Sequence, residues 1–345
     1  MENSNNNMSQ EGFENEVING LEQILSRMVG VATTITRDTI HKTNGPREAA
    51  IVNFSGSNVS PTVYLDDAFT RYQGGESVDT IVSEIAAKVA TAYDNRPNFD
   101  VSSITAENAK QHITLAVINS EKNQELLDKT PHYDIGDVSV IPRWKVSEDA
   151  TFVVSNDVTA SMGLTPEEVL RLGQQNINST EFSIKTMREA MLGILTKDGM
   201  DPEYAAALIP ESDGNEIIVL TTMDGFQGAK AILSDDALNA VREKLNGQDF
   251  YILPSSVHEV LCVPDNGSMT PKDLREMVVS VNSTEVSPQD FLSDNIFRFD
   301  GNKIKMVIDD LKMDPMKGAK MVAEGINNTI INVPKPEPRK MAMKM

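Results

Sequence analysis

Basic residues, cysteine and histidine are all scarce in this sequence. Lys and Arg together number 31 against 51 Asp and Glu, which gives a formal net charge of −20. A charge of that sign repels phosphate backbones and anionic lipid, so direct nucleic-acid binding is not expected. The single cysteine, Cys262, excludes an intramolecular disulfide, and four histidines leave few side chains for metal or acid–base chemistry.

Long apolar runs are missing as well. No stretch approaches the roughly 18 consecutive apolar residues that suggest a membrane span. The first twenty residues carry Asn and Glu where a signal peptide has a basic start and an apolar run. We therefore expect a soluble, acidic, cytoplasmic protein that makes no membrane contact. With 345 residues, of which 40% are hydrophobic, the chain can bury a sizeable core.

Apolar periodicity predicts an α+β fold in which small mixed or antiparallel sheets are covered by helices. A first helix begins at Phe13 and ends at Gly30, and its predicted buried row is Phe13, Val17, Leu21, Ile24 and Met28. Strand-like segments at 31–41, 48–54 and 61–65 follow, separated by turn residues, and a second helix covers 78–93. This pattern indicates a helix laid on a small antiparallel meander.

The second half of the chain contains legible helix starts. Thr165, Thr270 and Ser287 are each followed by proline and then by an acidic residue three positions after the hydroxyl, which predicts an N-cap at each of them. Strands are predicted at 113–118, in two stretches ending near Trp144, and at 250–253, 257–263, 296–299 and 303–308. Segments 216–222 and 228–233 are predicted to form a hairpin through Asp224-Gly225.

These elements group into four predicted segments. Residues 1–12 form a disordered N-terminus, 13–147 an N-terminal α+β domain, 148–310 a C-terminal α+β domain, and 311–345 a flexible tail. Each half carries a strand pair followed by a helix, which leaves open the alternative of two related α/β halves.

The densest polar cluster in an apolar setting includes Ser255, Ser256, His258, Glu259 and Cys262. It lacks the second histidine of a zinc peptidase His-Glu-x-x-His helix, because Cys262 stands there. On a strand His258 and Cys262 would share a face and form half of a metal site, which lacks further ligands. A serine nucleophile with His258 as base lacks the Gly-x-Ser-x-Gly turn. The competing interpretation is a buried histidine and thiol beside a Pro-Ser-Ser turn.

Two other clusters have structural alternatives that we favour. The segment 225–228, Gly-Phe-Gln-Gly, has the glycine spacing of an RNA-clamping loop, but its position predicts hairpin geometry. The side chains of Tyr64, Asp66, Asp67 and Tyr72 could line a cleft with two carboxylates, yet adjacent aspartates before a helix more often cap it. No cofactor and no complete metal site is predicted from these residues.

Three strings together resemble an uncharacterised bacterial family, a domain of unknown function. They are Tyr-Leu-Asp-Asp at 64–67, Leu-Pro-Ser-Ser-Val-His-Glu-Val at 253–260, and Val-Asn-Ser-Thr-Glu-Val-Ser-Pro at 281–288 with Leu-Ser-Asp at 292–294. The similarity spans about residues 13 to 300. It implies a protein of bacteria, their phages or mobile elements, and it brings no established substrate, cofactor or catalytic residue.

Three functions are compatible with these observations. The leading hypothesis is a non-catalytic interaction protein with a protein partner, because the legible features are caps, turns and core positions. The first alternative is a hydrolase that uses the Ser255–Glu259 region with carboxylates from elsewhere in the fold. The second is an acidic mimic of nucleic acid, which needs acidic side chains aligned at phosphate-like spacing. A concave pocket around His258 would favour the enzyme, and a packed His258 would count against it.

Overall fold

The computed structural model describes residues 8–96, 99–147, 150–210 and 216–307. Within these ranges the protein has the predicted α+β fold, with helices and three sheets of three, four and six strands. The chain divides into two compact units. In the described ranges, the first unit comprises the residues up to 104 together with 145–151, and the second comprises 105–144 and the residues from 152 onward.

The first unit is a helical layer on a three-stranded antiparallel sheet of order β1-β2-β3. Its elements are α1 (Gln10–Val29), β1 (Thr33–Lys42), β2 (Gly45–Phe54), β3 (Thr62–Tyr64), α2 (Leu65–Gln73), α3 (Val78–Asp94) and a short 3-10 helix, Val101–Ser103. Helices α1 and α3 contribute one face each to a core that also contains Val52 and Phe54 of β2. The predicted helix on a meander is therefore present.

Helix α1 differs in detail from its prediction. It begins at Gln10, because the Ser9 hydroxyl accepts a hydrogen bond from the N–H of Gly12, and it ends at Gly30 in the left-handed conformation. Its buried apolar row is Phe13, Val17, Leu21 and Leu25. The row keeps a spacing of four, which leaves Met28 about half exposed. Helical residues 10–12 thus belong to the folded part, and residues 1–7 lie outside the described ranges.

The second unit contains the other two sheets. Strands β4 (Ile113–Asn119), β6 (Val138–Lys145) and β5 (Tyr133–Ile135) lie side by side in that order, and β7 (Thr151–Val153) also pairs with β6. The six-stranded sheet is antiparallel, with the order β13-β12-β10-β11-β9-β8. Its strands are β8 (Phe182–Thr186), β9 (Ile218–Thr222), β10 (Phe250–Leu253), β11 (Glu259–Pro264), β12 (Phe297–Phe299) and β13 (Ile304–Met306).

Eight α-helices belong to the described part of this second unit. They are α4 (Ala106–His112), α5 (Gln124–Leu127), α6 (Asn156–Ser161), α7 (Pro166–Asn178), α8 (Met187–Lys197), α9 (Pro202–Leu208), α10 (Asp235–Lys244) and α11 (Pro271–Thr284). Short 3-10 helices occur at Glu121–Asn123 and Gly228–Leu233.

The division into units differs from the predicted boundary near residue 147. Strands β4 and β6 supply Leu115, Val117, Val138 and Val140 to the same buried core as Ile218 and other residues of the six-stranded sheet. Residues 105–144 therefore group with the second unit, because their apolar face packs there. Residues 148–149 and the predicted tail at 311–345 lie outside the described ranges.

Two of the three predicted helix starts are confirmed. Thr165 and Thr270 each form a capping box with the carboxylate three residues later, at Glu168 and Asp273, and proline occupies the first helical position. The prediction at Ser287 is wrong, because the chain makes a single turn there. Phe291 then forms an antiparallel bridge with Ser256, which ends the turn before a helix can continue.

The predicted hairpin between 216–222 and 228–233 is also wrong. Strand β9 pairs with β8 and β11, and Gly228–Leu233 is a 3-10 helix. All residues of that helix except Lys230 are buried, and a short continuous apolar run does not distinguish a strand from a buried helical turn.

No helix among the described residues is long and apolar enough to span a membrane.

Candidate functional site

Three segments of the second unit meet at His258, and we call residues 222–229, 254–259 and 287–293 the His258 junction. The second and third segments run alongside each other through main-chain hydrogen bonds. The N–H of Val257 donates to the carbonyl of Asp290 at 2.8 Å, and that of Leu292 donates to Ser255 at 3.1 Å. The first segment joins them where the N–H of Ala229 donates to the Val257 carbonyl at 3.2 Å.

The imidazole ring of His258 is hydrogen-bonded at both nitrogens. The main-chain N–H of Gln227 donates to Nδ1 at 3.3 Å, and Nε2 lies 3.1 Å from Oδ1 of Asp290. Because Nδ1 accepts a hydrogen bond, the proton of the neutral ring lies on Nε2 and is donated to the carboxylate. The side chain is 21% exposed. His258 thus links two segments that are 31 and 32 residues away in sequence.

The Asp290 carboxylate is held from its other side. The Ser287 hydroxyl donates to Oδ2 at 3.0 Å and accepts the main-chain N–H of Asp290 at 3.3 Å. This local turn orients the carboxylate towards the ring of His258. The sequence pattern of Ser287-Pro-Gln-Asp290 predicted a helix cap, and the same hydroxyl and carboxylate instead stabilise the turn that positions His258.

The predicted serines have main-chain partners in this junction. The Ser256 hydroxyl accepts the main-chain N–H of His258 at 3.0 Å, and Ser256 is 8% exposed. Ser255 is half-buried, and its carbonyl accepts from Leu292. Both ring nitrogens of His258 bond other groups, so a serine hydroxyl does not occupy either position from which the ring could remove its proton.

The remaining candidates of this segment lie on strand β11. Glu259 is its first residue and is exposed, whereas Cys262 is completely buried within the six-stranded sheet. Burial raises the pKa of the Cys262 thiol, which makes it a poor nucleophile and a poor metal ligand. His258 precedes the strand instead of sharing its face. Across the described ranges, no three His, Cys, Asp or Glu side chains come together as a metal site.

The loop at 225–228, with its two glycines, packs against His258 within the junction. Gln227 adopts the left-handed conformation with φ 49°, and its N–H donates to the ring of His258. Gly228 follows, and among the described glycines it leaves the least room for a side chain, because a Cβ there would lie 2.0 Å from Oγ1 of Thr221 and 2.3 Å from the His258 carbonyl. The same Thr221 hydroxyl donates to that carbonyl at 2.6 Å. The glycine spacing therefore has a structural cause.

The string ending in Leu-Ser-Asp is bound by a second polar network. The Asp137 carboxylate accepts from the Ser293 hydroxyl at 2.7 Å and from the Asn295 amide at 2.9 Å. The Asn282 amide donates to the Ser293 carbonyl at 2.9 Å and to Asp294 at 2.8 Å. These contacts tie helix α11 and the start of β6 to the segment that carries Asp290.

The Tyr-Leu-Asp-Asp string has its own partner in the first unit, which sequence reasoning missed. Arg47 is 7% exposed and donates from Nε and Nη2 to Asp66 at 2.9 and 2.5 Å, and Nη2 lies 2.8 Å from Asp67. Its guanidinium also lies 3.9 Å from the ring centroid of Tyr64. Burial lowers the pKa of Arg47, but the hydrogen bonds to both carboxylates outweigh that effect and raise it.

This geometry corrects the predicted role of the two aspartates. They lie in the first turn of α2, and the N-cap residue Tyr64 makes no side-chain cap hydrogen bond. Asp66 and Asp67 neutralise a buried arginine, so these two carboxylates are engaged in ion pairs and are not free for acid–base chemistry. This role depends on the contact between Arg47 and Asp66, which are 19 positions apart in the sequence, so a local sequence pattern does not reveal it.

The fold and these networks define an α+β protein whose most distinctive polar residues connect segments of its own chain. A family model described as a family of unknown function, DUF5688, matches residues 10–301. The match covers most of the 345 residues, so the chain belongs to this family, as the three strings indicated. No curated protein and no solved structure matches the chain.

Proposed function

We propose that this protein acts by binding another protein and not by catalysis at the Ser255–Glu259 segment. The observation that supports this proposal is the bonding of His258 at both ring nitrogens by Gln227 and Asp290. A general base needs a lone pair directed at the proton that it removes, and here the Nδ1 lone pair accepts a main-chain N–H. In this proposal the Ser255–Glu259 segment has a structural role, which is to connect parts of the second unit.

The surface that best suits a protein partner lies on helices α8 and α9. None of the residues of α8 is buried, although it contains three leucine or isoleucine residues and two methionines. Ile194, Tyr204 and Leu208 are 54%, 61% and 38% exposed, and we call these three the α8–α9 surface. Exposed Tyr and aliphatic side chains are common anchors of protein interfaces.

The α8–α9 surface has a rigid support. The guanidinium of Arg188 on α8 donates to the carbonyls of Ile209 and Pro210, the latter at 2.9 Å, and to that of Ala206 at 3.1 Å. These bonds satisfy carbonyls at the C-terminal end of α9, so the two helices are held together before any partner arrives. A preformed surface loses less conformational entropy on binding.

In this proposal the partner is a protein, present in the cytoplasm of a bacterium or with its phages and mobile elements, that offers an apolar and uncharged or basic surface. The net charge of −20 disfavours acidic partners, nucleic acid and anionic membranes. A reducing cytoplasm suits the one thiol, Cys262, which is buried and unpaired.

The test is affinity capture from the native host with matched variants. We expect the intact protein to retain a stoichiometric partner, the double variant Ile194→Glu, Tyr204→Glu to lose it, and Val101→Glu to keep it. Val101 is an equally exposed apolar residue, at 58%, in the first unit. Thermal unfolding of each variant establishes that it is folded.

A variant of the His258 junction separates this function from the hydrolase. The double variant His258→Ala, Glu259→Ala should retain the partner as long as it is folded. If no partner appears, while a small molecule or metal copurifies with the intact protein and is lost from this folded variant, the binding proposal fails.

The hydrolase stays a second candidate because of one contact, the 3.1 Å approach of His258 Nε2 to the Asp290 carboxylate at a partly exposed position. A histidine paired with a carboxylate is part of many hydrolytic sites. Hydrolysis of an activated ester by the intact protein, abolished in Ser255→Ala or Ser256→Ala at unchanged thermal stability, would establish it.

A further inference from the structure

Strand β8 is an open edge of the six-stranded sheet. It forms the end of the strand order, and among the described residues β9 is the strand that pairs with it. An edge strand presents main-chain N–H and C=O groups that a further extended strand can bind.

The hydrogen bonds next to β8 show which residues face outward. The N–H of Met187, one residue past the strand, donates to the Ile217 carbonyl at 2.7 Å, whereas the N–H of Thr186 donates to the Glu189 side chain. Bonding alternates along an antiparallel ladder. Ser183 and Lys185 therefore bond β9, and the main-chain groups of Phe182 and Ile184 point to the open edge.

The side chains along this edge are complementary to those of the same edge in a second copy of the chain. Glu181 and Lys185 are exposed, and within the described ranges neither forms an ion pair. In an antiparallel pairing of two copies centred on Ser183, Glu181 of each copy lies opposite Lys185 of the other. The same register places Phe182 opposite Ile184 on the other face, where both side chains already pack against the core.

The main-chain hydrogen bonds are compatible with the register that the side chains select. Pairing centred on Ser183 makes Phe182 and Ile184 the hydrogen-bonded pair, and these are the residues whose main-chain groups face the edge. Moving the register by one residue would direct unmatched groups at each other and separate Glu181 from Lys185. A lysine on an edge strand normally opposes pairing, and a glutamate at the matching position removes that opposition in this register alone.

We propose that β8 pairs with β8 of a second copy of this chain, antiparallel and centred on Ser183, which joins two six-stranded sheets across a two-fold axis. The contact is isologous, so it closes as a dimer and does not extend into a fibre. The net charge of −20 on each copy opposes the association, so the dimer forms as protein concentration rises. The residues of this edge are not those of the α8–α9 surface, and the inference does not depend on the proposed function.

The first test uses charge exchange between Glu181 and Lys185 in the full chain. Glu181→Lys and Lys185→Glu should each be monomeric in sedimentation velocity at concentrations where the intact protein dimerises. An equal mixture of the two single variants should form the heterodimer, and the double variant should recover the homodimer. A monomeric intact protein at every concentration, or single variants that dimerise as well as the intact protein, would overturn the proposal.

The second test reads the register directly. Ser183 faces its own copy in a non-hydrogen-bonded pair, where Cα atoms lie about 4.5 Å apart and a disulfide can form. Ser183→Cys should therefore convert to a covalent dimer under mild oxidation. Ser179→Cys, at an exposed position outside the strand, should stay monomeric. Equal cross-linking of both variants would show random collision, and no cross-linking of Ser183→Cys would exclude this register.

Discussion

At the scale of single residues, Gly228 is a position where the neighbouring main chain leaves no space for a side chain. A Cβ added here would lie 2.0 Å from the hydroxyl oxygen of Thr221, 2.3 Å from the carbonyl oxygen of His258 and 2.7 Å from the main-chain nitrogen of Thr222. Side-chain volume at this position would push apart the loop that supplies the N–H of Gln227 to His258. The glycine is needed because of space, since its φ is not in the left-handed region.

We expect Gly228→Ala to lower the free energy of unfolding by about 3 kcal/mol, because a buried methyl group would overlap main-chain atoms that cannot move independently. The control is Gly193→Ala in helix α8, where an added Cβ meets nothing within 4 Å. It should raise stability by about 0.5 to 1 kcal/mol, since alanine is the better helix former. Urea unfolding measures both, and equal stabilities of the two variants would contradict the structure.

At the scale of elements, hydrogen bonds at the helix N-termini stabilise several of the helices. Three helices, α7, α8 and α11, begin with a complete capping box, in which a threonine hydroxyl and a carboxylate satisfy each other's main-chain N–H. In α8 the carboxylate is Glu189, which also lies 3.0 Å from Nζ of Lys244 on α10. The hydrogen bond from the main-chain N–H of Thr186, and after it the hydrogen bond from the side chain of Lys244, lower the pKa of Glu189 from its ordinary 4.5.

The lowered pKa of Glu189 predicts a stability that depends on pH. The unfolded chain binds the proton first, so the contribution is complete above 4.5 and is lost as the pH falls through the lower value of the folded protein. Glu189→Gln keeps the capping hydrogen bond but carries no charge. We expect the free energy of unfolding of the intact protein to be about 0.5 kcal/mol higher than that of this variant near neutral pH. This difference should vanish in acid, where Glu189 is protonated.

Urea unfolding at a series of pH values measures this difference. Glu203→Gln in α9 serves as the control, because the cap of that helix is provided by Asp201. A difference for Glu189→Gln that stays constant across the acid range would mean that its charge does not contribute to folding.

Each of the two units contains a large apolar core of its own. The first unit is centred on α1, α3 and β2, and the second on the six-stranded sheet with β4, β6 and α10. Leu21 belongs to the first core and Leu220 to the second, and both are completely buried. The two leucines thus form a matched pair for asking whether each core determines the stability of its own unit.

Leu21→Ala and Leu220→Ala should each cost about 2 to 5 kcal/mol, through lost burial and a residual cavity. We expect each change to lower hydrogen-exchange protection mainly in its own unit. Native-state exchange with mass spectrometry resolves the two regions. Equal loss of protection in both units from either change would show that the whole chain unfolds as one cooperative body.

The fold class, most of the strands, and the helix starts at Thr165 and Thr270 could be predicted from the sequence. Their causes are local: apolar spacing along one element, and hydrogen bonds that span three or four residues. The turn at Asn44-Gly45 belongs with them, because Asn44 lies between the paired strands, Gly45 begins β2, and both have positive φ. The family membership followed from three strings without any structural knowledge.

The tertiary structure alone decided how several segments fold and which polar side chains meet. Residues 228–233 form a 3-10 helix although their sequence predicts a strand, and the chain makes only one turn after Ser287 although its sequence predicts a helix. In both places main-chain bonds to the distant segment 254–259 override the local pattern. Asp290 reaches His258 across 32 residues, and Arg47 reaches Asp66 across 19. Spacing along the chain does not encode such pairs, since loop closure and packing of whole elements determine which side chains meet.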